Sequence, residues 1–337
     1  MTDQRLTALS EWAARTLDDR HCVIRPASAD ASFRRYFRIT GANGASFIAM
    51  DAPPDKEDSR PYVRIARRLR ALGLNVPEIL AEDLARGFLL ITDLGDRLYL
   101  GALNESTVER LYQDALAALL RLQCGSAGDA TFLPPYDAAL LQREMELFRE
   151  WYLGRHLALA LSQPQHAVLD GVFARLIEAA LEQPTAWVHR DYHSRNLMVT
   201  SDNNPGVLDF QDAVQGPVTY DLVSLLRDCY IAWPRPRVEA WVRGYQAAAR
   251  DAGLPVGTDE QRFLRWFDWM GVQRHLKATG IFARLNHRDA KPGYLNDIPR
   301  TLGYVLEVVS RYSELKPLGV LLEDLGVTGR LQAAGRA

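Results

Sequence analysis

The chain has 337 residues, 47% of them hydrophobic, which is enough for a large core and about two domains of ordinary size. Its 40 basic and 42 acidic residues nearly cancel, which argues against binding of nucleic acid by bulk positive charge. The sequence lacks a signal-peptide pattern and any apolar run long enough to span a membrane, and its three cysteines lie far apart. We therefore expect a cytoplasmic protein with reduced thiols, without nucleic acid or membrane as a partner; its oligomeric state stays open.

The first 95 residues mix predicted strands with one helix. Their β-branched and aromatic runs, separated by turn residues, predict strands at residues 22–27, 32–40, 45–53, 77–83 and 87–95. The helix is predicted over residues 59–73, where apolar residues recur at helical spacing. Ser59 can cap its start, and Gly73 ends it.

After Gly95 the sequence changes to long helical segments. Apolar spacing predicts helices over residues 106–122, 138–153, 167–181, 237–252 and 259–285. The sequence therefore predicts an α+β fold with two lobes. The small, strand-rich N-terminal lobe covers residues 1–95, and the larger, mostly helical C-terminal lobe covers residues 96–337.

One β-type stretch interrupts the helices, WVHRDYHSRNLMVTSDNNPGVLDFQD at residues 187–212. Its turn residues SDNNPG separate two short strands, so a hairpin is expected. If the turn is centred between Asp202 and Asn203, Asn196 lies directly opposite Asp209, with Cβ atoms about 5 Å apart. Amide and carboxylate oxygens at that separation can share one Mg²⁺, whose other ligands are phosphate oxygens and water.

Asp191 lies in the loop just before Asn196. A carboxylate at this place can accept the proton of an attacking hydroxyl group. A base and two metal ligands meet the needs of phosphoryl transfer, which depends on positioning and charge neutralisation. His189-Arg190-Asp191, an Asn five residues later and a downstream Asp-Phe also match the protein-kinase catalytic loop. The alternative is an ordinary polar hairpin.

The segments VHRDYHSRNLMV and GVLDFQDAVQGPVTYDLVSLL resemble the aminoglycoside-phosphotransferase branch of the protein-kinase-like fold. This resemblance implies a two-lobed fold whose N-terminal lobe binds the nucleotide. It also implies Asp191 as the catalytic base and Asn196 and Asp209 as Mg²⁺ ligands. His189 and Asp221 would support the catalytic loop, although an acidic residue at a helix N-terminus is an alternative role for Asp221.

Further blocks are similar to the bacterial anomeric kinases of amino sugars. They read DASFRRYFRIT, FIAMDAPPDKEDSRPYVRIARRLRALGLNVPEIL, GFLLITDLGDRLYL and QRHLKATGIFARLNHRDAKPGYLNDIPR, and cover nearly the whole chain together with the catalytic loop. The resemblance implies ATP-dependent phosphorylation of the C1 hydroxyl of N-acetylmuramate and N-acetylglucosamine, during recycling of cell-wall sugars. Two alternatives remain. One is a kinase of the same branch for choline, homoserine or an antibiotic, and the other is a catalytically silent nucleotide-binding module.

The predicted third strand departs from the kinase pattern. Kinases carry a Lys on this strand, paired with a helix Glu, but here Met50 lies near that position and the helix has no Glu. Arg34 and Arg38 alternate onto one face of the preceding strand and could bind phosphate instead, because guanidinium matches its geometry. An exposed Arg-rich strand face is the alternative. The resemblance also implies adenine beside the backbone near Asp93 and Leu94, where Asp93 could equally act only as a hinge cap.

Residues 273–292 carry five basic side chains and one acidic side chain. Helical spacing places three of the basic residues on one face: Arg274, Lys277 and Arg284. A polycationic aminoglycoside would need carboxylates here, so this segment favours a neutral or anionic sugar. We predict Arg274, Lys277 and Arg288 as substrate-binding residues, with a solvated basic face as the alternative.

Overall fold

The computed structural model describes residues 3–29, 33–125, 129 and 131–334. Its contacts define two compact units, one of Met1–Arg121 with Arg195–Asp212 and one of Leu122–Ser194 with Ala213–Ala337. The predicted division at residue 95 follows the change in secondary structure. The contacts instead extend the first unit to Arg121 and add the predicted hairpin to it. Asn196 and Asp209 therefore belong to the first unit, and Asp191 belongs to the second.

The secondary structure follows the predicted alternation of strands and helices. The strands are β1 Val23–Ala29, β2 Arg35–Thr40, β3 Ser46–Asp51, β4 Ile79–Asp83, β5 Phe88–Thr92, β6 Thr185–Val188, β7 Leu197–Met198, β8 Gly206–Val207 and β9 Val214–Pro217. The helices are α1 Gln4–Thr16, α2 Arg60–Ala71, α3 Tyr99–Ala102, α4 Val108–Gly125, α5 Ala138–Leu147, α6 Gln163–Leu181, α7 Tyr220–Leu226, α8 Arg235–Asp251, α9 Glu260–Asp289, α10 Ile298–Val309, α11 Lys316–Asp324 and α12 Val327–Ala334. A π-helical segment, Phe148–His156, continues α5, and short 3₁₀ segments lie at Pro292–Asp297 and Ser313–Leu315. None of the helices among the described residues combines the length and apolarity needed to cross a bilayer.

An antiparallel sheet of strand order β1-β2-β3-β5-β4 forms the centre of the first unit. The five strands predicted before residue 95 are thus confirmed, with ends shifted by a few residues; the predicted start of the second strand at Ser32 lies outside the described residues. Facing residues of β2 and β3 include Tyr36 with Met50 and Arg38 with Ile48. Side chains of such pairs point to the same side of the sheet, which defines its two faces.

One face of this sheet packs against α1. The prediction of a single helix in the first third was wrong, because α1 precedes the strands. The core between them consists of Leu9, Trp12, Ala13, Phe37, Ile39, Ala49, Phe88 and Leu90. Asp3 caps α1 by accepting a hydrogen bond from the Leu6 amide. The opposite face, with Tyr36, Arg38 and Ile48, is left to line a cavity.

Helix α2 matches its predicted bounds closely. Its buried face includes Tyr62, Ile65 and Leu69, and Gly73 ends the helix with a φ of 79°, in the left-handed region that favours glycine. Ser59 occupies the N-cap position, but its side chain makes no capping hydrogen bond. The predicted side-chain cap is therefore wrong.

Strands β7 and β8 form the predicted hairpin, but its register differs by one residue. Leu197 pairs with Val207 and Met198 pairs with Gly206, so the turn is centred on Asp202. Asn196 consequently lies opposite Leu208, whose amide donates a hydrogen bond of 2.9 Å to the Asn196 carbonyl oxygen. The predicted direct pairing of Asn196 with Asp209 is wrong. Asn204 causes part of the difference, because its side chain accepts from the Thr200 amide and shapes the loop.

The second unit is mostly helical, and α9 runs through its core. Residues of α9 pack with the π-helical segment, α6, α10 and α11 in one large apolar cluster. A Cβ atom on Gly280 would lie 2.3 Å from the Leu147 carbonyl carbon and 2.5 Å from the Phe148 nitrogen. Glycine is therefore required where α9 touches the backbone at the start of the π-helical segment.

Candidate active site

A cavity of about 450 Å³ lies on the open face of the sheet in the first unit. Its wall combines the sheet, the segment after β5 and the hairpin, and includes Tyr36, Arg38, Ile48, Ile91, Asp93, Leu94, Asn196, Met198, Leu208 and Asp209. This volume lies within the range of small-ligand pockets, roughly 300–1,000 Å³. The structure thus brings five of the predicted site residues to one cavity: Arg38, Asp93, Leu94, Asn196 and Asp209.

Arg38 and Asp93 form a two-point ion pair at the edge of this cavity. Arg38 Nε lies 2.6 Å from Asp93 Oδ2, and Arg38 Nη2 lies 3.1 Å from Oδ1 and 2.7 Å from the Gly95 carbonyl oxygen. Asp93 Oδ1 also accepts from the Gly95 amide at 2.9 Å, as a hinge cap does. Burial raises the pKa of Asp93, but the hydrogen bonds from Arg38, Ser46 and Gly95 lower it below its usual value. The charge of Arg38 is thus already paired.

Arg34 lies beside the predicted metal ligand Asp209. Its Nη1 is 3.8 Å from Asp209 Oδ1, and its Nη2 is 3.4 Å from Glu57 Oε2. Glu57 was not predicted as a functional residue. It precedes α2 in the sequence, so a search of that helix for an acidic partner does not find it.

Leu94 packs closely on the hairpin because Gly206 has no side chain. A Cβ atom at Gly206 would lie 2.9 Å from Leu94 Cδ1 and 3.2 Å from Met198 Cβ. The hairpin itself is anchored within the first unit, since Val207 N donates to the Asn75 carbonyl oxygen and Val199 N donates to the Arg97 carbonyl oxygen, both at 2.7 Å. These contacts keep the hairpin against the cavity wall.

Asn196 and Asp209 supply oxygen atoms of the kind that Mg²⁺ prefers. Both residues line the same cavity, and the Asp209 side chain is 34% exposed, so its carboxylate can be reached. Asp209 has a φ of 62°, a left-handed conformation that residues other than glycine seldom adopt and that recurs at functional sites. Gln211 Nε2 donates to Asp209 Oδ1 at 2.7 Å and helps to orient it. The residues present therefore fit a Mg²⁺ site.

Asp191, in the second unit, is surrounded by positive charge. Burial raises the pKa of its carboxyl group, but the positive charges of Lys277 and Arg274 counteract that effect, and the pKa lies below its usual value. The carboxylate is thus ionised at neutral pH. An ionised carboxylate is the form that can accept a proton.

Asp221 holds the backbone of the loop that carries Asp191. The amide of His189 donates to Asp221 Oδ2 at 2.6 Å, and the amide of Arg190 donates to Oδ1 at 3.0 Å. Arg190 has a φ of 75°, so the loop passes through a strained residue at this point. His189 adds a second brace, because its Nδ1 accepts from the Asp191 amide at 3.2 Å. Asp221 also lies in the first turn of α7, the position that the alternative interpretation gave it. Its place at the helix N-terminus and its support of the loop are therefore compatible.

The basic residues of α9 differ sharply in their surroundings. Arg274 and Lys277 are only 5% and 8% exposed, so a solvated basic face does not describe them. Arg288, by contrast, is exposed and pairs with the adjacent Asp289 at 2.8 Å. Lys277 Nζ lies 2.8 Å from Glu144 Oε1 and 3.0 Å from Tyr220 Oη.

Glu144 is a functional candidate that the sequence reading missed. It is 5% exposed and binds both Lys277 and Arg190, the latter at 2.5 Å, and it accepts a hydrogen bond from Tyr136. A signal was present in the sequence, since Glu144 shares the buried face of α5 with Leu141 and Met145. An acid in an apolar stripe needs a buried partner, and here it has two.

Comparison with known proteins identifies the class of protein that this fold and these residues define. The model of the phosphotransferase enzyme family matches residues 23–267, and the chain belongs to that family. It is 49% identical over 97% of its length to the N-acetylmuramate/N-acetylglucosamine kinase of Pseudomonas putida, covering 98% of that protein. It is 44% identical over 96% of its length to the protein of the same name from Neisseria meningitidis, covering 96% of it. The predicted resemblance to this family and the predicted enzyme class, a phosphotransferase, are confirmed.

Solved structures show the same fold. The choline kinase LicA of Streptococcus pneumoniae matches with a TM-score of 0.62 at 11% identity, over 90% of this chain and all of that one. The gentamicin complex of APH(2")-IIa matches with a TM-score of 0.55 at 14% identity, over 94% of this chain and 98% of that one. The predicted α+β, protein-kinase-like fold is therefore confirmed.

Proposed function

We propose that this protein uses ATP to phosphorylate the anomeric hydroxyl of N-acetylmuramate and N-acetylglucosamine, in the cytoplasm, during recycling of cell-wall sugars. Similarity over 97% of the chain to a kinase named for these two sugars carries the proposal. The ionised Asp191 carboxylate supports it, because a hydroxyl acceptor needs a base.

In the proposed reaction, Asp191 orients the C1 hydroxyl and accepts its proton. The sugar oxygen forms a bond to the terminal phosphorus of ATP as the bond from that phosphorus to ADP breaks, and the products are the sugar 1-phosphate and ADP. His189 and Asp221 keep the loop backbone, and hence Asp191, in place. Asn196 and Asp209 would hold Mg²⁺, which neutralises phosphate charge when bound.

The cavity of the first unit is the proposed nucleotide site. Adenine would bind against the sheet face, with backbone groups near Asp93 and Leu94 as hydrogen-bonding partners. Arg38 supports this edge through its ion pair with Asp93, and Arg34 is the better candidate for phosphate. In this assignment Arg38 orients Asp93, and Arg34 binds the phosphate.

Arg274 is the proposed contact for the lactyl carboxylate of N-acetylmuramate. Its guanidinium is buried, its Nη1 donates to Cys229 Sγ at 3.7 Å, and it forms no ion pair with a carboxylate of the described residues. The Arg274 Nε has no hydrogen-bond partner among the described residues, and a buried cation with an unsatisfied donor is costly, so an anionic substrate group would stabilise it. Lys277, in contrast, already pairs with Glu144, and Arg288 already pairs with Asp289. These two remain weaker proposals as substrate contacts.

A blocked sugar tests the proposed reaction. Nucleotide consumption and product formation are measured with N-acetylmuramate, N-acetylglucosamine, and the 1-O-methyl glycoside and 6-deoxy analogue of N-acetylglucosamine. The methyl glycoside should not be phosphorylated, because its anomeric oxygen carries no proton, whereas the 6-deoxy sugar should still react. Phosphorylation of the methyl glycoside would refute the anomeric assignment. No turnover of either free sugar would refute the sugar-kinase proposal.

A further inference from the structure

The strand position where kinases carry a Lys is closed in this protein. Met50 is fully buried, and it faces Tyr36 on β2 and Leu89 on β5. A side chain at this position therefore packs within the sheet face and does not reach an open site. The positive charge that kinases provide from β3 must come from another element of the first unit.

Arg34 directly precedes β2, the strand that pairs with the Met50 strand β3. It is two residues before Tyr36, and residues two apart on an extended chain point to the same side. Tyr36 and Arg38, which continue this series, both line the cavity. The Arg34 side chain thus starts just before the neighbouring strand, and its contact with Asp209, which lines the cavity, brings its guanidinium to this side of the sheet.

Two acidic side chains hold the Arg34 guanidinium. It is 11% exposed and lies 3.4 Å from Glu57, which is 21% exposed, and 3.8 Å from Asp209, which is 34% exposed. A kinase strand Lys has the same kind of surroundings, since it pairs with a helix Glu while the downstream Asp holds the metal. Glu57 and Asp209 would therefore correspond to these two acids.

We propose that Arg34, oriented by Glu57, binds the nucleotide phosphates in place of the missing strand Lys and links them to Asp209. This inference rests on the proposed function, because it assumes that the cavity takes a nucleotide. Arg34 would be the binding residue, and Glu57 would be a positioning residue that acts through it.

The neighbouring arginines are less suited to this role. Arg38 is held by both oxygens of Asp93 and by the Gly95 carbonyl oxygen. Arg35 belongs to the opposite face of β2 and pairs with the buried Asp51 and with Asp3. A guanidinium at position 34 can present two parallel N–H groups to a phosphate, a geometry that an ammonium group cannot offer.

A binding series measures the phosphate contact without turnover. The dissociation constants of ATP, ADP and adenosine are determined by calorimetry, without Mg²⁺, for the wild type and for Arg34→Met. The variant should bind ATP and ADP roughly tenfold to a hundredfold more weakly, the range for a charge-assisted hydrogen bond, with adenosine unchanged. Arg34→Lys should keep part of the affinity, because it retains the charge but loses the fork.

The positioning role of Glu57 is tested in the same series with Glu57→Gln. This change keeps the shape but removes the charge that fixes Arg34, so we expect a smaller loss for ATP, again without loss for adenosine. Matched controls are Asp58→Asn and Arg60→Met, because these residues form an exposed ion pair next to Glu57 in the sequence. Both controls should bind all three ligands as the wild type does.

Each outcome decides the inference. Unchanged ATP affinity in Arg34→Met would overturn it, and so would an equal loss for ATP and adenosine, which indicates a structural role. If Arg34→Met does not fold, as judged by circular dichroism, Arg34→Lys and Glu57→Gln decide it by the same comparison. Failure of the proposed function has a different signature, in which the wild type itself does not bind ATP or does not transfer phosphate to either sugar.

Discussion

Two aspartates near one loop have opposite electrostatic surroundings. Burial raises the pKa of both Asp191 and Asp221, but only at Asp191 do nearby positive charges reverse the effect. Asp221 keeps a pKa raised by burial to about 6, although the hydrogen bonds from the amides of His189 and Arg190 counteract that effect. The first residue is thus suited to accept a proton, and the second to hold a backbone.

The substitution Asp191→Asn tests the role of Asp191 as a proton acceptor. The amide keeps the shape of the side chain but cannot accept a proton, so turnover should fall by roughly 10²- to 10⁴-fold. Binding of ATP should be unchanged, since Asp191 is not among the residues lining the cavity of the first unit. Steady-state kinetics and calorimetry measure the two effects. Near-normal turnover would remove Asp191 from the mechanism.

The pKa of Asp221 predicts a pH dependence of stability. Its folded-state pKa of about 6 lies above its ordinary value of 3.8, so the folded protein binds this proton more tightly than the unfolded chain does. The resulting stabilisation is fully present below the unfolded pKa and is lost as the pH rises through about 6. Relative to Asp221→Asn, the wild type should lose on the order of 2–3 kcal/mol of unfolding free energy over this interval. Urea unfolding of both proteins at pH 4 and pH 7 measures it; a constant difference would contradict the assignment.

At the scale of elements, Glu144 connects three parts of the second unit. It lies on α5, Lys277 lies on α9, and Arg190 lies in the loop that carries Asp191. Both cations lose their main buried counter-charge if the acid is removed. The contact therefore couples the stability of two helices to the geometry of the loop.

Glu144→Gln should destabilise the protein by about 3–5 kcal/mol, the cost of leaving a buried charge without its partner. Urea unfolding measures the change. Glu150→Gln is a matched control, because Glu150 is 57% exposed and lies 3.7 Å from the exposed Arg155. That pair should contribute about 0–1 kcal/mol. A similar small effect at Glu144 would show that its contacts are not structurally important.

The element scale also shows what the sequence could predict. The strands before residue 95, α2, α4 and α9 follow from local patterns, and so does the existence of the hairpin. The register of the hairpin does not, because the side chains of Thr200 and Asn204 shape a loop that a tight-turn estimate ignores. The role of Asp221 could be predicted by resemblance, but its raised pKa depends on burial, which no local pattern reports.

Across the whole molecule, several unpredicted features are contacts between residues distant in sequence. Arg34 is 175 positions from Asp209 by their numbers, and Glu144 is 133 positions from Lys277. Composition has a similar limit, because a net charge of −2 argues only against attraction to nucleic acid by bulk charge and does not reveal the buried cations around Asp191. The proposed catalytic loop was recognisable because its residues are close together in the chain.

Substrate preference is the property of the whole protein that Arg274 should control. Arg274→Met should raise KM for N-acetylmuramate roughly tenfold to a hundredfold more than KM for N-acetylglucosamine, since only the former has a lactyl carboxylate. Turnover of N-acetylglucosamine is the internal control for folding. Equal changes for both sugars would contradict the carboxylate contact while leaving the kinase proposal intact.

The hairpin of Arg195–Asp212 completes the first unit although 73 residues of the second unit, 122–194, separate it from Arg121. During translation, the first unit therefore cannot complete its fold until residue 212 has emerged from the ribosome. Before that, the carbonyl groups of Asn75 and Arg97 lack their partners on Val207 and Val199. A fragment ending at Arg121 would lack Asn196 and Asp209, and with them part of the cavity wall. The proposed nucleotide site is thus expected to be unavailable to ATP in the early nascent chain.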